Sequence, residues 1–447
     1  MTSLLQRLRR RGPSRRERPK SADTSNGTGR FWLTLLVAVV VLLGFFFWLT
    51  SARILGEPVE IAHGVETPVF AHSLGSLLGA NFSGGNRVET LVNGDEFFPA
   101  MLAAIRAARH SVTLETYIWS SGAISDQFIA ALEERAKAGV KVHVLVDGMG
   151  SLKLSREDRG KMMDAGVEFS VYGREHWYEI KPNINHRTHR KLLIIDGKVG
   201  FTGGMCIDDK WLGNAESKDV WRETQVNCGG PPVLQKPAPF ATNWLHTTSP
   251  LLFRVEYFPE VTRMGDVLAE CYKSGPGEDP ENARISYLVA IAAARKSIVI
   301  AHAYFVPDDL AIEMLLQARQ RGVEIEVIVP AINDSKFGRA ASRSRWGKLL
   351  ASGVKFHRYT PAMYHPKVMV VDDYFVTIGS VNFDNRSFGI NDEVNVNILS
   401  REVARRHLEI IRKDIEHSTP LTLEEFRDRG FLTKTIDHFC GLFRSQL

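Results

Sequence analysis

Cysteine is scarce. The four residues Cys206, Cys228, Cys271 and Cys440 stand far apart, with no Cys-x-x-Cys pair. This excludes a disulfide-dense small scaffold and a cysteine zinc ribbon, and makes free buried thiols the expected state. Metal-ligand patterns are also lacking: the 14 histidines are scattered and no His-x-x-x-His occurs, so no metal and no cofactor is expected. A basic body is lacking as well. Nine Arg and Lys against Glu17 and Asp23 give residues 1–30 a net +7, which leaves −2 for the other 417 residues of a chain whose total is +5. A nucleic-acid-binding body carries a basic excess, so no nucleic-acid partner is expected. At 44% hydrophobic and 24% charged residues the chain is neither disordered, nor a long coiled coil, nor a polytopic membrane protein.

There is one long apolar run. Phe31–Leu49 holds nineteen residues without a charge, with Trp32 and Trp48 near its ends. As a helix it would reach ~28 Å, about the thickness of a bilayer's hydrocarbon core. It is longer than the ~7–15 apolar residues of a secretory signal, so an uncleaved transmembrane anchor is expected. The basic flank precedes the run. The positive-inside rule then places the N-terminus in the cytoplasm and the body on the far side of a cell membrane. Residues 1–30 read as a disordered basic tail.

The remainder repeats itself. Ala108-Arg109-His110-Ser111-Val112 returns as Ala294-Arg295-Lys296-Ser297-Ile298, Ala138-Gly139-Val140 as Arg321-Gly322-Val323, and Ala165-Gly166-Val167 as Ser352-Gly353-Val354. Order and spacing are kept over a period far too long for a solenoid, so two copies of one domain are expected. Within each copy, helical stretches alternate with period-2 apolar stretches, as in layered α/β structure around a central sheet. The expected boundaries are a tail 1–30, a transmembrane helix 31–50, a juxtamembrane segment 51–90, a first domain 91–228, a connection 229–280, a second domain 281–400 and a helical tail 401–447.

Each copy carries His-x-Lys-x-x-x-x-Asp: His189, Lys191 and Asp196 in the first, His365, Lys367 and Asp372 in the second. Seven positions after each Asp begins a small pair, Gly203-Gly204 or Gly379-Ser380, and Asn382 follows the latter. On an extended chain residues i and i+2 share a face, so His and Lys project together. The apolar run behind them suits a buried strand. Two imidazoles, two ammonium groups and an amide suit a phosphodiester. The lysines and Asn382 would hold the phosphate, with Gly203, Gly204 and Ser380 allowing close approach. One imidazole attacks phosphorus and the other protonates the leaving oxygen, which calls for environments that push their pKa values apart.

These motifs resemble those of the phospholipase D superfamily, and within it the bacterial cardiolipin synthase branch. The resemblance runs over roughly Leu91–Ser400 and includes Glu115-Thr116-Tyr117, Trp221-Arg222-Glu223-Thr224 and Asn382-Phe383-Asp384. It implies two α/β domains related by a pseudo-two-fold, a site at their interface, a phosphohistidine intermediate and no metal. It further implies His189 as nucleophile, His365 as general acid, Glu223 and Glu393 as residues orienting the histidines, and a phospholipid substrate, phosphatidylglycerol, for a membrane-anchored phosphatidyltransferase. A phospholipase D hydrolase and a phosphodiesterase or nuclease are the alternatives. Asp196 and Asp372, though part of the catalytic motif, are expected to pin the turn after the strand. One departure stands out: Cys206 occupies the position where an asparagine is common. Two further stretches carry weaker signals. Lys336–Lys348 is basic, and reads equally as a phospholipid contact or a solvated helix face. The C-terminal Leu421–Leu447 mixes charge with Phe431, Phe439 and Phe443, and is expected to dock on the body, with the membrane surface as the alternative.

Overall fold

The computed structural model describes residues 25–50, 56–173, 185–230, 239–252, 254–260, 262–277, 279–443 and 446. Most of the basic tail, and Pro231, Pro232 and Pro237 of the connection, lie outside the described residues. The chain forms two compact units, Met1–Arg53 and Ile54–Leu447.

In the first unit Ser25–Thr50 is one helix. Its described side chains, at 29–42 and 45, are exposed. Among the described residues no helix is long and apolar enough to cross a membrane, so the membrane-spanning helix over Phe31–Leu49 rests on the sequence.

The second unit is organised by a fifteen-stranded sheet. Two strands meet antiparallel at its centre, Ser83–Val92 and Val267–Ser274. Outward from the first lie Thr224–Gly229, Val199–Gly203, Leu192–Ile195, Ser111–Thr116, Lys141–Asp147 and Glu168–Tyr172. Outward from the second lie Glu393–Leu399, Phe375–Gly379, Lys367–Val371, Ser297–His302, Glu324–Pro330 and Lys355–Tyr359, with Ser418–Leu421 added at that edge. The two halves have the same order and the same mixture of directions. The Ser111, Lys141 and Glu168 strands are parallel, as are their counterparts, and the rest are antiparallel. The duplication in sequence is thus a duplication in space. The central strands fall in residues that the sequence reading assigned to the juxtamembrane segment and the connection. Their signal was weak because Gly84 and Gly85 interrupt one strand and charges the other.

The repeated Gly-Val pairs are helix stops. Gly139 and Gly322, with φ of 87° and 89°, follow the helices Ala123–Lys137 and Asp309–Gln320, where a left-handed residue ends a helix at no steric cost. Val140 and Val323 are buried just beyond, and a parallel strand begins. Each half buries its own apolar core between sheet and helices. A third cluster, including Val226, Ala269, Val396 and Leu408, fills the region around the central strands.

Candidate active site

The motif strands Leu192–Ile195 and Lys367–Val371 are buried along their whole length. They are rigid supports for the residues at their leading ends. What precedes each strand is held by the opposite half. The His189 N–H donates to the Asp392 carbonyl at 2.9 Å, and the His365 N–H donates to the Arg222 carbonyl at 2.8 Å. Met363–Tyr364 pairs in parallel with Trp221–Arg222. Each contacted residue directly precedes an acid, Glu393 or Glu223. The acids complete the exchange: His189 Nδ1 lies 2.9 Å from Glu393 Oε1, and His365 Nδ1 lies 2.6 Å from Glu223 Oε2. Each half therefore supplies the imidazole that the other half's carboxylate orients. With Nδ1 committed, Nε2 is the atom left for chemistry.

The lysines share the same space. Lys191 Nζ donates to the His189 carbonyl at 2.7 Å and lies 5.3 Å above the Tyr117 ring. Lys367 Nζ donates to the His365 carbonyl at 2.9 Å and lies 3.2 Å from both nitrogens of that ring. A Cβ on Gly204 would stand 2.5 Å from Glu223 Oε2 and 2.9 Å from Lys367 Nζ, so this glycine is a wall of the site. Asn382 is buried, and its Oδ1 has no hydrogen-bond partner among the described residues. Cys206, in the position matching Asn382, is buried in the apolar core of its half.

Other residues of the predicted set stand elsewhere. The Asp196 carboxylate accepts from the backbone N–H groups of Arg109, His110 and Ser111, and Asp372 from those of Arg295, Lys296 and Ser297. Seven residues of extended chain put each roughly 20 Å from its histidine. Their place in the catalytic motif is corrected accordingly: both have positive φ, near 50°, and tie the end of the strand to the start of its neighbour. The Ser380 hydroxyl, too, is engaged within the protein. The residue is fully buried, its hydroxyl donates to Glu393, and it accepts from the Val394 N–H at 3.0 Å. Gly203 admits the neighbouring strand, since a Cβ there would lie 2.8 Å from the Thr224 carbonyl.

Burial dominates the electrostatics. It pushes His189 down to about 4, with Glu393 opposing and Lys191 and Lys367 adding to the shift. His365 is held well below its ordinary value by burial, then by Lys367. Lys367 itself falls to about 8 through burial. Both rings are shifted in the same direction, down, whereas the two carboxylates shift in opposite directions. Burial lifts Glu223 to about 7 against the pull of Lys367. Burial would also lift Glu393, but His189, Lys191 and the Ser380 hydroxyl outweigh it and hold that acid below the usual range. The contact with His189 contributes most to holding Glu393 down, and the Ser380 hydroxyl, matched in the other half by Gly204, adds to it.

Aromatic rings, some from stretches that carry the resemblance, were given no role in the site from sequence. The Tyr117 ring centroid lies 5.0 Å from that of His189, and those of Trp221 and Trp211 lie 4.9 Å and 5.5 Å from that of His365. Tyr304 is 6.5 Å away and donates to Asp334. His186 pairs with Asp392 at 2.9 Å, while His302 meets Tyr287 through Nε2 at 3.3 Å and its buried Nδ1 has no partner among the described residues. Among the described residues no group of three His, Cys, Asp or Glu could hold a metal.

Comparison with known proteins agrees with this geometry. A family described as cardiolipin synthase, phospholipase D-like domain matches residues 101–226 and 287–415, one stretch in each half. The chain is 34% identical over 369 residues to cardiolipin synthase 2 of Bacillus anthracis, covering 82% of this chain and 71% of that one. It is 33% identical over 368 residues to the probable cardiolipin synthase YwiE of Bacillus subtilis, covering 82% and 73%. In fold it is similar to the crystal structure of phosphatidylserine synthase from Haemophilus influenzae, with a TM-score of 0.64 at 15% identity over 84% of this chain and 99% of that one. With two matched halves and relatives at this identity over most of its length, the chain belongs to the cardiolipin synthase family of phospholipase D-like proteins.

Proposed function

We propose that the protein is a membrane-anchored phosphatidyltransferase that makes cardiolipin from two molecules of phosphatidylglycerol. The observation that carries this reading is the exchanged pairing: two imidazoles, each held by a carboxylate of the other half, stand among two buried lysines. His189 is the nucleophile. Glu393 stays ionised and accepts from Nδ1, so the neutral ring presents an Nε2 lone pair. Nε2 bonds to phosphorus, the bond from phosphorus to the glycerol oxygen breaks, and His365 gives its Nε2 proton to that oxygen. In the second step the hydroxyl of another phosphatidylglycerol attacks phosphorus. Its proton goes to His365, the P–N bond breaks, and His189 is restored as the neutral base. Lys191, Lys367 and the Asn382 amide hold the non-bridging oxygens. His365 is neutral before substrate binds, because it is buried and Lys367 faces it. The diester brings a negative charge and draws the ammonium groups to itself, which favours protonation of His365 when the acid is needed.

The anchor is Phe31–Leu49, oriented with its N-terminus cytoplasmic and its body on the far side of the cell membrane. Support comes from the charge asymmetry, from the exposed apolar side chains of the Ser25–Thr50 helix, and from Thr34, whose hydroxyl is satisfied by the Arg30 carbonyl at 2.9 Å within that helix. The domain limits given from sequence are kept in this reading except at Ser83–Val92 and Val267–Ser274, which belong to the sheet as its central strands.

The test is product analysis with purified full-length protein and phosphatidylglycerol. Cardiolipin and glycerol in equal amounts are expected. Phosphatidic acid with glycerol would replace the transferase by a hydrolase. The change His189→Ala should lower turnover by at least 10³-fold and abolish the phosphoprotein trapped by detergent denaturation at neutral pH; unaltered turnover would remove the nucleophile assignment.

A further inference from the structure

The last helix of the body, Phe431–Gly441, is folded inside out. Its buried positions are Asp437, Cys440 and Gly441. Asp437 is held by Arg343 at 2.7 Å and also by Arg429, and Cys440 packs on Ala340 and Ala341. Thus the charged side chain faces the helix Lys336–Arg345 while the large apolar ones face away. Phe431 is 85% exposed, Leu432 71%, Ile436 47%, Phe439 57% and Leu442 61%. At 100° per residue these five fall within an arc of about 140°. Phe337, on the neighbouring helix, adds a further exposed ring, and Phe443 bridges the two helices, with centroids 6.1 Å from Phe337 and 5.3 Å from Phe439. A contiguous patch of this kind on a folded body marks an interaction surface.

Charge and position identify what covers it. Lys434, His438, Arg427, Lys336 and Arg339 are exposed around the patch. Nearby acids are largely engaged: Asp437 as described, Glu425 with Arg358 at 2.5 Å, and Asp334 with Tyr304; Glu424 and Asp428 remain exposed on the preceding turn. The patch also adjoins the site. Tyr304, beside His365, packs 3.5 Å from where a Cβ of Gly338 would stand in the neighbouring helix. Beyond the last helix, the Gln446 carbonyl accepts from Arg386 at 3.4 Å, and its side chain accepts from Asn185 at 3.2 Å, close in sequence to Asn382 and His189. We propose that this face is the surface on which the body docks to an anionic phospholipid bilayer. Its apolar side chains enter the acyl boundary, its cations meet the headgroups, and the mouth of the site comes to headgroup level. A second copy of the chain is a poorer occupant, because a two-fold interface would set the same cations against one another.

The choice of lipid rests on the phosphatidyltransferase reading, but the test need not. The native cysteines are buried or half-buried, so single changes Leu432→Cys, Ile436→Cys and, as control, Lys161→Cys on the exposed surface direct a fluorophore in the full-length protein. In phosphatidylglycerol vesicles the labels at 432 and 436 should shift to the blue and lose at least half their emission to shallow nitroxide lipids, while the label at 161 should do neither. Aqueous, unquenched emission at 432 and 436 would overturn the proposal. So would shielding that grows with the protein-to-lipid ratio yet ignores the quencher, which would assign the face to a second copy. As a second measurement, the double variant L432D/I436D should turn over bilayer phosphatidylglycerol roughly tenfold more slowly, yet dispersed short-chain phosphatidylglycerol within twofold of the parent. Equal loss on both substrates would contradict docking. If the parent turns over neither lipid, the transferase reading fails while the quenching result stands by itself.

Discussion

Glu223 and Glu393 have the same geometric task in different electrostatic settings, and one hydroxyl is part of the difference. Ser380 gives Glu393 a hydroxyl that Gly204 cannot give Glu223. Adding a side chain does not restore symmetry, because a Cβ at Gly204 meets Glu223 and Lys367 at contact distances too short for carbon. The variant Gly204→Ala is expected to lose at least tenfold in kcat/KM with little change in thermal stability; retention of full activity would show that the wall is not where it is drawn. The pH profile follows from the same groups. The free base of His189 persists down to about 4, so kcat/KM should not fall at pH 6.5 but only near 4. His365, the general acid, is already neutral in the free enzyme near pH 7 and Lys367 loses its charge near 8, so kcat/KM should rise as pH falls from 7 towards 4 and drop further above 8. A profile with its acid limb at 6.5 would mean that His189 is not desolvated as described.

At the scale of elements, the motif strand joins two functions at its two ends. The leading end presents histidine and lysine. The trailing end presents an aspartate that collects three backbone N–H groups of the adjacent strand. Conservation of spacing between the copies is then a matter of strand length, since both ends must reach their stations. The variant Asp372→Ala should leave those donors without their anionic acceptor and cost about 2–4 kcal/mol of stability, while kcat per folded molecule changes less than threefold. A large loss of kcat at unchanged melting temperature would return the aspartate to the chemistry. The α/β alternation and the strand carrying each motif were legible in sequence because apolar runs of four or five residues flanked by polar ones have few other readings. The central strands Ser83–Val92 and Val267–Ser274 were not, since glycines and charges blur their alternation and only pairing with each other completes them.

For the whole molecule, the exchange of partners between halves is what builds the site. Neither half contains a histidine and the acid that orients it, so the long sheet that fixes the two halves on each other is itself part of the machinery. The same burial sets acid sensitivity. His407, on the helix Arg401–Glu416, is fully buried with Nδ1 at 2.9 Å from the Val403 carbonyl, and burial pushes it down to about 4. The unfolded chain takes up a proton near 6.5 but the folded chain does not until about 4. Its contribution is therefore intact above 6.5 and lost as pH falls through that window. Glu115 and Glu223, lifted by burial to about 7, act oppositely, and their contribution fades as pH rises from 4.5 to 7. The variant His407→Asn should reduce the loss of stability between pH 7 and pH 5 by about 2 kcal/mol relative to the parent, read from denaturant melts at both values; parallel curves would show that the ring is hydrated.

Taken alone, the order of residues determined the duplication, the layered α/β class, the histidine and lysine pairs and the apolar run before them, because periodicity, spacing and charge are properties of the chain itself. It did not determine which acid faces which histidine, that the Ser380 hydroxyl serves Glu393, or that the last helix turns its apolar side chains outward. The first depends on contacts 204 and 142 positions apart, set by the folding of one half against the other, and the rest on contacts 13 to 94 positions apart within the second half.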